Sequence, residues 1–297
     1  MIFNGGKFLF TILAISLLFV CSNGSNKTAI PDAGLRLITH NIWYGFSMVP
    51  DQKKLWIEWM RQQEPDVVLL QELNGYTPEK LKADAKSWGH PYSVLLKTEG
   101  FPTGITSVNP INDVQRIFEG FHHGMLRVQI KGIYIYNIHL HPSNWKTRMQ
   151  EIDLVWEDIK GLPSEAGIVL AGDFNALSRS DSLFYSKENL EQFFQQRDKE
   201  FNENNLNCGK LDYTVISKII DKGFLDTEFI FRSKNYHFTG TFPTSVEKPG
   251  DHGAFRRLDY VFVNNKLIDQ VTDSKIIANE KTLLFSDHLP IITDVRL

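Results

Sequence analysis

The stretch IVLAGDFN, residues 168–175, constrains the fold more than any other part of this sequence. Four consecutive apolar residues predict a β-strand that is covered on both faces, as in layered α/β proteins. A glycine then lets the backbone turn, so that Asp173 and Asn175 project from the carboxyl end of the strand. Ligand sites of layered α/β proteins gather at such ends. The alternative is an Asx turn, in which the two side chains only bond nearby backbone amides.

Several other strand-like runs also end at polar residues of the types that bind metals or phosphates. The set consists of Asn41, Glu72, His139, Asp173 with Asn175, Asp259, and Asp287 with His288. Asp259 is the least ordinary, because it lies inside the apolar run 258–263, where a carboxylate needs a cation or donors to offset desolvation. The others each have a plain structural explanation, such as a surface acid or a hydrogen-bonded buried histidine. So many coincidences together favour one shared functional site.

The rest of the chain predicts a single domain over 35–297, without an internal repeat. Periodic apolar residues predict its helices, and short apolar runs between turn residues predict its strands. The predicted helices are 51–63, with Asp51 as N-cap, 78–88 and 145–159, with further helices in 182–234. The predicted strands are 35–39, 66–70, 92–96, 105–107, 125–130, 133–138, 168–171, 236–241 and 258–263, and 246–255 is predicted to be a loop.

The first 21 residues predict a signal peptide, because the apolar run 8–20 is shorter than the ~20 residues that cross a bilayer as a helix. The run ends at Cys21, an arrangement that resembles a bacterial lipoprotein signal, and residues 22–34 predict a flexible tether. We therefore expect an exported protein: an outer-membrane or cell-surface lipoprotein attached to the membrane through lipidated Cys21, or a periplasmic or secreted form. An uncleaved anchor is the remaining alternative. Cys208 is the only other cysteine, so no intramolecular disulfide is expected once Cys21 is acylated or removed.

Seven stretches resemble, in order, the motifs of the endonuclease/exonuclease/phosphatase superfamily. They are LITHNIWYG (37–45), PDVVLLQEL (65–73), TGITSVNPI (103–111), IYNIHLHP (135–142), IVLAGDFNAL (168–177), RLDYVFVN (257–264) and SDHLPI (286–291). The resemblance implies an α/β (α+β) fold, a four-layer α/β sandwich in which two mixed β-sheets pack face to face between flanking helices. It also implies a hydrolase that acts on phosphoric ester bonds, with a divalent-metal site at one end of the sheets.

The same resemblance implies roles for the polar residues. The implied metal-binding residues are Glu72, as the main ligand, Asn41 and Asp287. The implied catalytic residues are His288 as general base, Asp259 as the acceptor that fixes its tautomer, Asp173 as the group that orients the attacking water, and Asn175 and His139 as phosphate contacts. Mg²⁺ is the expected cofactor, with Mn²⁺ or Ca²⁺ as alternatives, since a hard cation on oxygen ligands offsets the negative charge of a phosphoester.

The substrate is the least constrained feature. A net charge of −3 and the lack of a basic stripe give no general attraction for nucleic acid, so no stable nucleic-acid complex is expected. We expect a monomer that hydrolyses a phosphodiester in a nucleic acid, phospholipid or sugar phosphate. The alternatives are a phosphomonoesterase on sugar or inositol phosphates, and an inactive surface binding module of the same fold. His141 is expected to be structural, and Arg148 is expected to be a helix-surface charge rather than a phosphate contact.

Overall fold

Apolar residues on both faces of the central strands dictate the layering. In the computed structural model, which describes residues 1–2, 34–187, 189–232, 240–247 and 252–297, Leu35 and Leu37 point to one side of their strand and Ile38 points to the other. All three side chains are buried. Because successive strand residues face opposite sides, such a strand must be covered twice, by another sheet and by helices.

The described residues form fourteen strands and seven α-helices. The strands are β1 (Gly34–Asn41), β2 (Val67–Gln71), β3 (Tyr92–Leu95), β4 (Gly104–Ser107), β5 (Asn112–Ile117), β6 (Met125–Ile130), β7 (Ile133–His139), β8 (Ile168–Asp173), β9 (Leu206–Asn207), β10 (Lys210–Leu211), β11 (Phe224–Asp226), β12 (Asp259–Asn264), β13 (Val271–Ile276) and β14 (Ile291–Arg296). The helices are α1 (Gln52–Gln63), α2 (Pro78–Ser87), α3 (Trp145–Lys160), α4 (Ser182–Lys187), α5 (Leu190–Phe201), α6 (Thr214–Asp221) and α7 (Thr227–Phe231).

Two six-stranded mixed sheets are formed, with strand orders β13-β14-β1-β2-β4-β3 and β11-β12-β8-β7-β6-β5. Each sheet has one parallel pair of strands near its centre: β1 and β2 in the first sheet, and β7 and β8 in the second. The other neighbouring strands are antiparallel. β9 and β10 form a separate two-stranded hairpin.

Three apolar clusters hold the layers together. The cluster between the sheets includes Leu37, Leu69 and Val169, all fully or almost fully buried. Residues of α1 and α2 cover the outer face of the first sheet, and residues of α3 and α6 cover the outer face of the second. The predicted four-layer α/β sandwich is thus confirmed.

A buried polar contact joins the two sheets directly. Asn137 of β7 donates hydrogen bonds to the carbonyl oxygens of Leu70 (3.0 Å) and Gly104 (2.8 Å), and its Oδ1 accepts one from Gln71 Nε2 (2.7 Å). A buried amide that satisfies its partners in one arrangement fixes how the sheets meet. The contacts involve the last two residues of β2, and Asn137 lies two residues before the end of β7.

The predicted elements mostly match the observed ones within a residue or two. Asp51 occupies the predicted N-cap position of α1, although its side chain makes no capping hydrogen bond and its backbone is already helical. β5 was not predicted, because this exposed edge strand has few apolar residues. The predicted strand 236–241 lies outside the described residues except for its last two positions, and the predicted signal peptide and tether do so except for residues 1, 2 and 34. Within the described part of the chain, no helix is long and apolar enough to cross a membrane.

Candidate active site

Strand directions bring the polar strand ends to one edge of the sandwich. β1, β2, β7 and β8 end there, because each pair is parallel. β12 and β14 begin there, because each is antiparallel to its neighbour from those pairs. The residues predicted from separate parts of the sequence therefore meet, even though Asn41 and His288 are far apart along the chain.

Asp173 is at the centre of this edge. It is opposite His139 across the β7–β8 ladder and opposite Asp259 across the β8–β12 ladder, so three neighbouring strands present three polar side chains in one row. The Asp173 Oδ2 atom lies 3.7 Å from His139 Nε2. Burial, followed by the charge of Asp259, raises the pKa of Asp173 to about 7. Two carboxylates held this close are unfavourable unless cations or donors compensate.

His288 lies between the two aspartates. Its Nδ1 is 2.7 Å from Asp259 Oδ2, and its Nε2 is 3.9 Å from Asp173 Oδ2. Burial lowers the pKa of His288, but the charges of Asp259, Asp287 and Asp173 outweigh it and raise the pKa to about 10. The ligand-type atoms of Asp173, Asp259 and His288 all lie within 4.8 Å of one another, a spacing that also suits a bound cation.

Buried partners fix the position of His288 from behind. His40 Nε2 lies 3.0 Å from the His288 carbonyl oxygen, and Trp56 Nε1 donates to His40 Nδ1 at 2.8 Å. Because Nδ1 of His40 accepts from Trp56, Nε2 of His40 carries the proton and donates to His288. Burial lowers the pKa of His40 to about 4, so this histidine stays neutral. The Thr241 hydroxyl accepts the backbone N–H of Asp259 at 3.1 Å.

Glu72 follows β2 in a strained conformation. Its φ is +57°, a left-handed value that is uncommon for a glutamate and costs free energy. Tyr44 N donates to its Oε2 at 2.9 Å, and Asn41 Nδ2 donates to its Oε1 at 3.2 Å. Such strain is concentrated at functional sites, because the surrounding contacts must maintain it.

Asn41 connects Glu72 to Asp173. Its Nδ2 also donates to Asp173 Oδ2 at 3.2 Å, while its Oδ1 accepts the backbone N–H of Trp43 at 3.1 Å. The amide nitrogen of Asn41 thus donates to both carboxylates, and its oxygen already accepts one hydrogen bond, from the Trp43 backbone. This arrangement makes Asn41 a holder of Glu72; the ligand role implied by the resemblance would need the second lone pair of Oδ1 and stays a prediction.

Asp287 is the third carboxylate that lines the cleft beside Glu72 and Asp173, and together the three indicate whether a cation fits. Burial raises the pKa of Asp287 to about 7, and the charge of Glu72 adds to this effect. Within the described ranges, no lysine or arginine forms an ion pair with Glu72, Asp173 or Asp287. Hard oxygen donors crowded in this way, without a basic partner, fit a divalent cation.

The Asx-turn alternative for Asp173 and Asn175 is also present in the structure. The Asn175 backbone N–H donates to Asp173 Oδ1 at 2.9 Å, and Asn175 has φ +48°. The turn and the site are compatible, since Asp173 keeps Oδ2 for the other residues. Asn175 Nδ2 donates to the Leu140 carbonyl at 3.1 Å, which leaves its second N–H available.

A cleft of about 280 Å³ opens onto these residues. The predicted residues that line it are Glu72, His139, Asp173, Asn175, Asp287 and His288. Asn41 and Asp259 do not line the cleft but bond to residues that do. All eight predicted site residues are therefore brought together, although their roles stay predictions.

Several cleft residues were not predicted. Arg148 was expected on the helix surface, and this is wrong: it is 4% exposed, lines the cleft and donates to the carbonyl oxygens of His141 and Pro142. His252 and Arg256 also line the cleft, from a loop whose sequence carries no periodic signal. His123 stacks on His139 with ring centroids 4.3 Å apart. The neighbouring pair His122-His123 is the only sequence signal that could have suggested this contact.

A two-sheet sandwich with a histidine between carboxylates and an acidic cleft at the sheet edge defines a hydrolase of the metal-dependent phosphoesterase type. The sequence profile of the Endonuclease/Exonuclease/phosphatase family matches residues 38–288, and the chain belongs to this family. Its members are metal-dependent hydrolases acting on phosphoester bonds. No curated protein matches the chain.

Solved structures share the fold at low sequence identity. They include an endonuclease/exonuclease/phosphatase from Bacteroides vulgatus, with 17% identity and a TM-score of 0.63 over 89% of this chain and 99% of that chain. An AP endonuclease from Archaeoglobus fulgidus has 18% identity and a TM-score of 0.62 over 87% and 98%. A 3′ phosphatase from Neisseria bound to a product DNA hairpin has 15% identity and a TM-score of 0.62 over 89% and 100%.

Proposed function

We propose that this protein is an exported, Mg²⁺-dependent phosphodiesterase that uses His288 as the general base for attack by water. The observation that carries the proposal is the line Asp259–His288–Asp173, with bond and contact distances of 2.7 and 3.9 Å, which faces the same cleft as Glu72 and Asp287. A histidine poised by a carboxylate next to an acidic group is what hydrolysis of an anionic ester requires.

Glu72 and Asp287 would hold the cation, with Asn41 keeping Glu72 in place. Mg²⁺ prefers a few carboxylates plus water, which agrees with two acidic oxygen donors. When bound, the cation supplies positive charge that polarises a phosphoryl oxygen and offsets the repulsion between the ester and the attacking oxygen. Asp173, Asp259 and His288 provide a second place where oxygen and nitrogen ligands converge.

The protein's own residues account for the movement of the proton. His288 must first be the neutral imidazole, a form that a cation bound beside Asp287 would favour by offsetting the carboxylates that raise the pKa of His288. Its Nε2 then takes a proton from the attacking water, while Nδ1–H stays bonded to Asp259, which fixes the tautomer. Asp173 Oδ2 lies near Nε2 and orients the same water. The water oxygen bonds to phosphorus, the ester P–O bond breaks, and the leaving oxygen takes a proton from solvent. Asn175 and His139 donate hydrogen bonds to the phosphoryl oxygens, where charge increases.

A small phosphodiester fits the cleft better than a long polymer. Its volume of about 280 Å³ is near the lower end of the ~300–1,000 Å³ common for small-molecule pockets. The net charge of −3 also gives no general attraction for a nucleic acid. The Archaeoglobus neighbour is an AP endonuclease and the Neisseria neighbour is bound to a product DNA hairpin, but at 18% and 15% identity they support only the shared fold.

The test is hydrolysis of bis(4-nitrophenyl) phosphate by purified protein with and without Mg²⁺. We expect Mg²⁺-dependent release of nitrophenol, and we expect Glu72→Ala and His288→Ala each to lower the rate by at least ~10²-fold. Glu119→Ala, an exposed acid outside the cleft, is the matched control. Wild-type protein that is inert with every divalent metal would refute the proposal. A parallel panel of plasmid DNA, RNA, sphingomyelin and inositol phosphates would then identify the substrate class.

A further inference from the structure

Two buried arginines line the cleft without a carboxylate partner. Arg148 and Arg256 are 4% and 6% exposed, and both line the cleft that contains Asp173 and His288. Among the described residues, neither forms an ion pair, although burying a guanidinium without a counter-charge is unfavourable. A bound anion would offset the cost of burying these two guanidinium groups.

Arg256 is held so that part of its guanidinium stays available. Its Nη1 donates to the carbonyl oxygens of His252 (2.6 Å) and Ala254 (3.1 Å). The plane is held by aromatic rings, with Cζ 4.6 Å from the centroid of Phe242 and 5.3 Å from that of Phe194. Nε is buried and has no acceptor. The rings fix the orientation of the fork but cannot neutralise its charge.

Arg148 shares two of these features: carbonyl acceptors for Nη1 and a buried Nε without an acceptor. Its Nη1 donates to the carbonyls of His141 (3.0 Å) and Pro142 (3.2 Å), and its buried Nε has no acceptor. Burial lowers the pKa of Arg148 to about 10 and that of Arg256 to about 9. The charges of Asp212 and Glu151, followed by that of Asp173, oppose this effect at Arg148 but do not outweigh burial.

Elsewhere the chain pairs its buried arginines with acids. Arg257 is fully buried and forms ion pairs with Asp181, Asp226 and Glu228 at 2.6–2.9 Å. Arg197, which also lines the cleft, pairs with Glu203 at 2.8 Å. Arg148 and Arg256 differ from these because, among the described residues, their hydrogen bonds go to carbonyl oxygens and not to a carboxylate, which leaves the Nε donor of each for an anion.

We infer that Arg148 and Arg256 bind a second phosphate on the substrate, so that the protein acts on small phosphodiesters that carry a further phosphate on the same molecule. The inference rests on the proposed function and specifies its substrate class. Planar guanidinium forks match phosphate oxygens bidentately, and a dry setting strengthens such bonds. Because both arginines line the same cleft of about 280 Å³ as Asp173 and His288, the second phosphate would belong to the molecule that carries the ester.

The first experiment compares two chromogenic diesters that differ only in the additional phosphate. These are thymidine 5′-(4-nitrophenyl phosphate) and the same ester with a 3′-phosphate. We expect wild-type protein to favour the phosphate-bearing ester by ~10–100-fold in kcat/KM, as charge-assisted hydrogen bonds give. Arg256→Gln and Arg148→Gln should each reduce this preference at least tenfold. Arg256→Lys, which keeps the charge but loses the fork, should be intermediate.

The second experiment measures binding of inorganic phosphate to metal-free protein by calorimetry in EDTA. We expect binding to wild type and at least tenfold weaker binding to Arg256→Gln. Arg179→Gln, an exposed arginine outside the cleft, is the matched control and should behave like wild type in both experiments. If no ester is hydrolysed with any metal, the proposed function fails, while phosphate binding still tests the arginine site.

Thermal unfolding separates a structural role from an anion site. If Arg256→Gln does not fold, Arg256→Lys and Arg148→Gln take its place in both experiments. Equal kcat/KM for the two esters, together with no phosphate binding to wild type, would overturn the inference and leave the phosphodiesterase proposal intact. The inference would also be overturned if Arg148→Gln and Arg256→Gln lowered the rate only on single-stranded oligonucleotides and not on the small esters. The second phosphate would then belong to a polymer.

Discussion

Removing the carboxylate of Asp259 should disable the general base without touching the substrate. Asp259 is 1% exposed and His288 is 4% exposed, and the Nδ1–Oδ2 distance of 2.7 Å is in the range of charge-assisted bonds. Asp259 lies behind the imidazole and does not line the cleft. It is therefore a positioning residue, and its effect on the rate must act through His288.

Two substitutions separate the charge from the hydrogen bond. Asp259→Ala removes both, so we expect the loss of most of the general-base contribution, about 10²–10⁴ in kcat. At ~1.4 kcal/mol per factor of ten, this is about 3–5 kcal/mol in the barrier. Asp259→Asn can keep its side-chain oxygen as the acceptor for the Nδ1–H of His288. Its amide nitrogen would then take the place of Oδ1, which is buried and has no partner. We therefore expect kcat to fall by only ~10–100-fold.

The assay combines kcat for bis(4-nitrophenyl) phosphate with proton NMR of the His288 ring. The downfield Nδ1–H signal should be present in wild type, shift upfield in Asp259→Asn and disappear in Asp259→Ala. A purely structural role would lower stability but would not order the two variants in this way. The reasoning is refuted if folded Asp259→Ala retains kcat within threefold of wild type.

Three further predictions follow from other parts of the molecule. EDTA should abolish hydrolysis and Mg²⁺ restore it, while Glu72→Gln should raise the Mg²⁺ concentration for half-maximal rate at least ~10-fold, as measured by metal titration. Arg257→Ala should lower the free energy of unfolding in urea by about 3–5 kcal/mol, because it leaves buried Asp226 without a cation and leaves Asp181 and Glu228 with Arg232 alone. Lys160→Ala, in an exposed pair, should cost below ~1 kcal/mol. Cys21→Ser should move the protein from the membrane fraction to the soluble fraction and prevent labelling with palmitate; an unchanged distribution would contradict the lipoprotein prediction.

The sequence by itself determined the class of fold and the candidate residues. Short apolar runs bounded by glycines, such as 168–171, predict buried strands that need cover on both faces, so the local pattern predicts a layered sandwich. The carboxylate at Asp259 is informative for the same reason, since an acid inside an apolar strand needs compensation. The ordered motifs then identified the family, which the match over residues 38–288 confirmed.

Only the tertiary structure decided which groups act on one another. His288 and Asp259 are paired because β12 and the segment before β14 reach the same edge, which no local spacing encodes. Likewise, Arg148 was misjudged because a helix-periodic pattern does not show that the facing loop would bury it against carbonyl oxygens. Arg256 had no sequence signal for this role, because only the tertiary structure shows that it lines the cleft and forms no ion pair with a described carboxylate. Backbone pattern is a local property, whereas charge balance in a cleft depends on every chain segment that contributes to its walls.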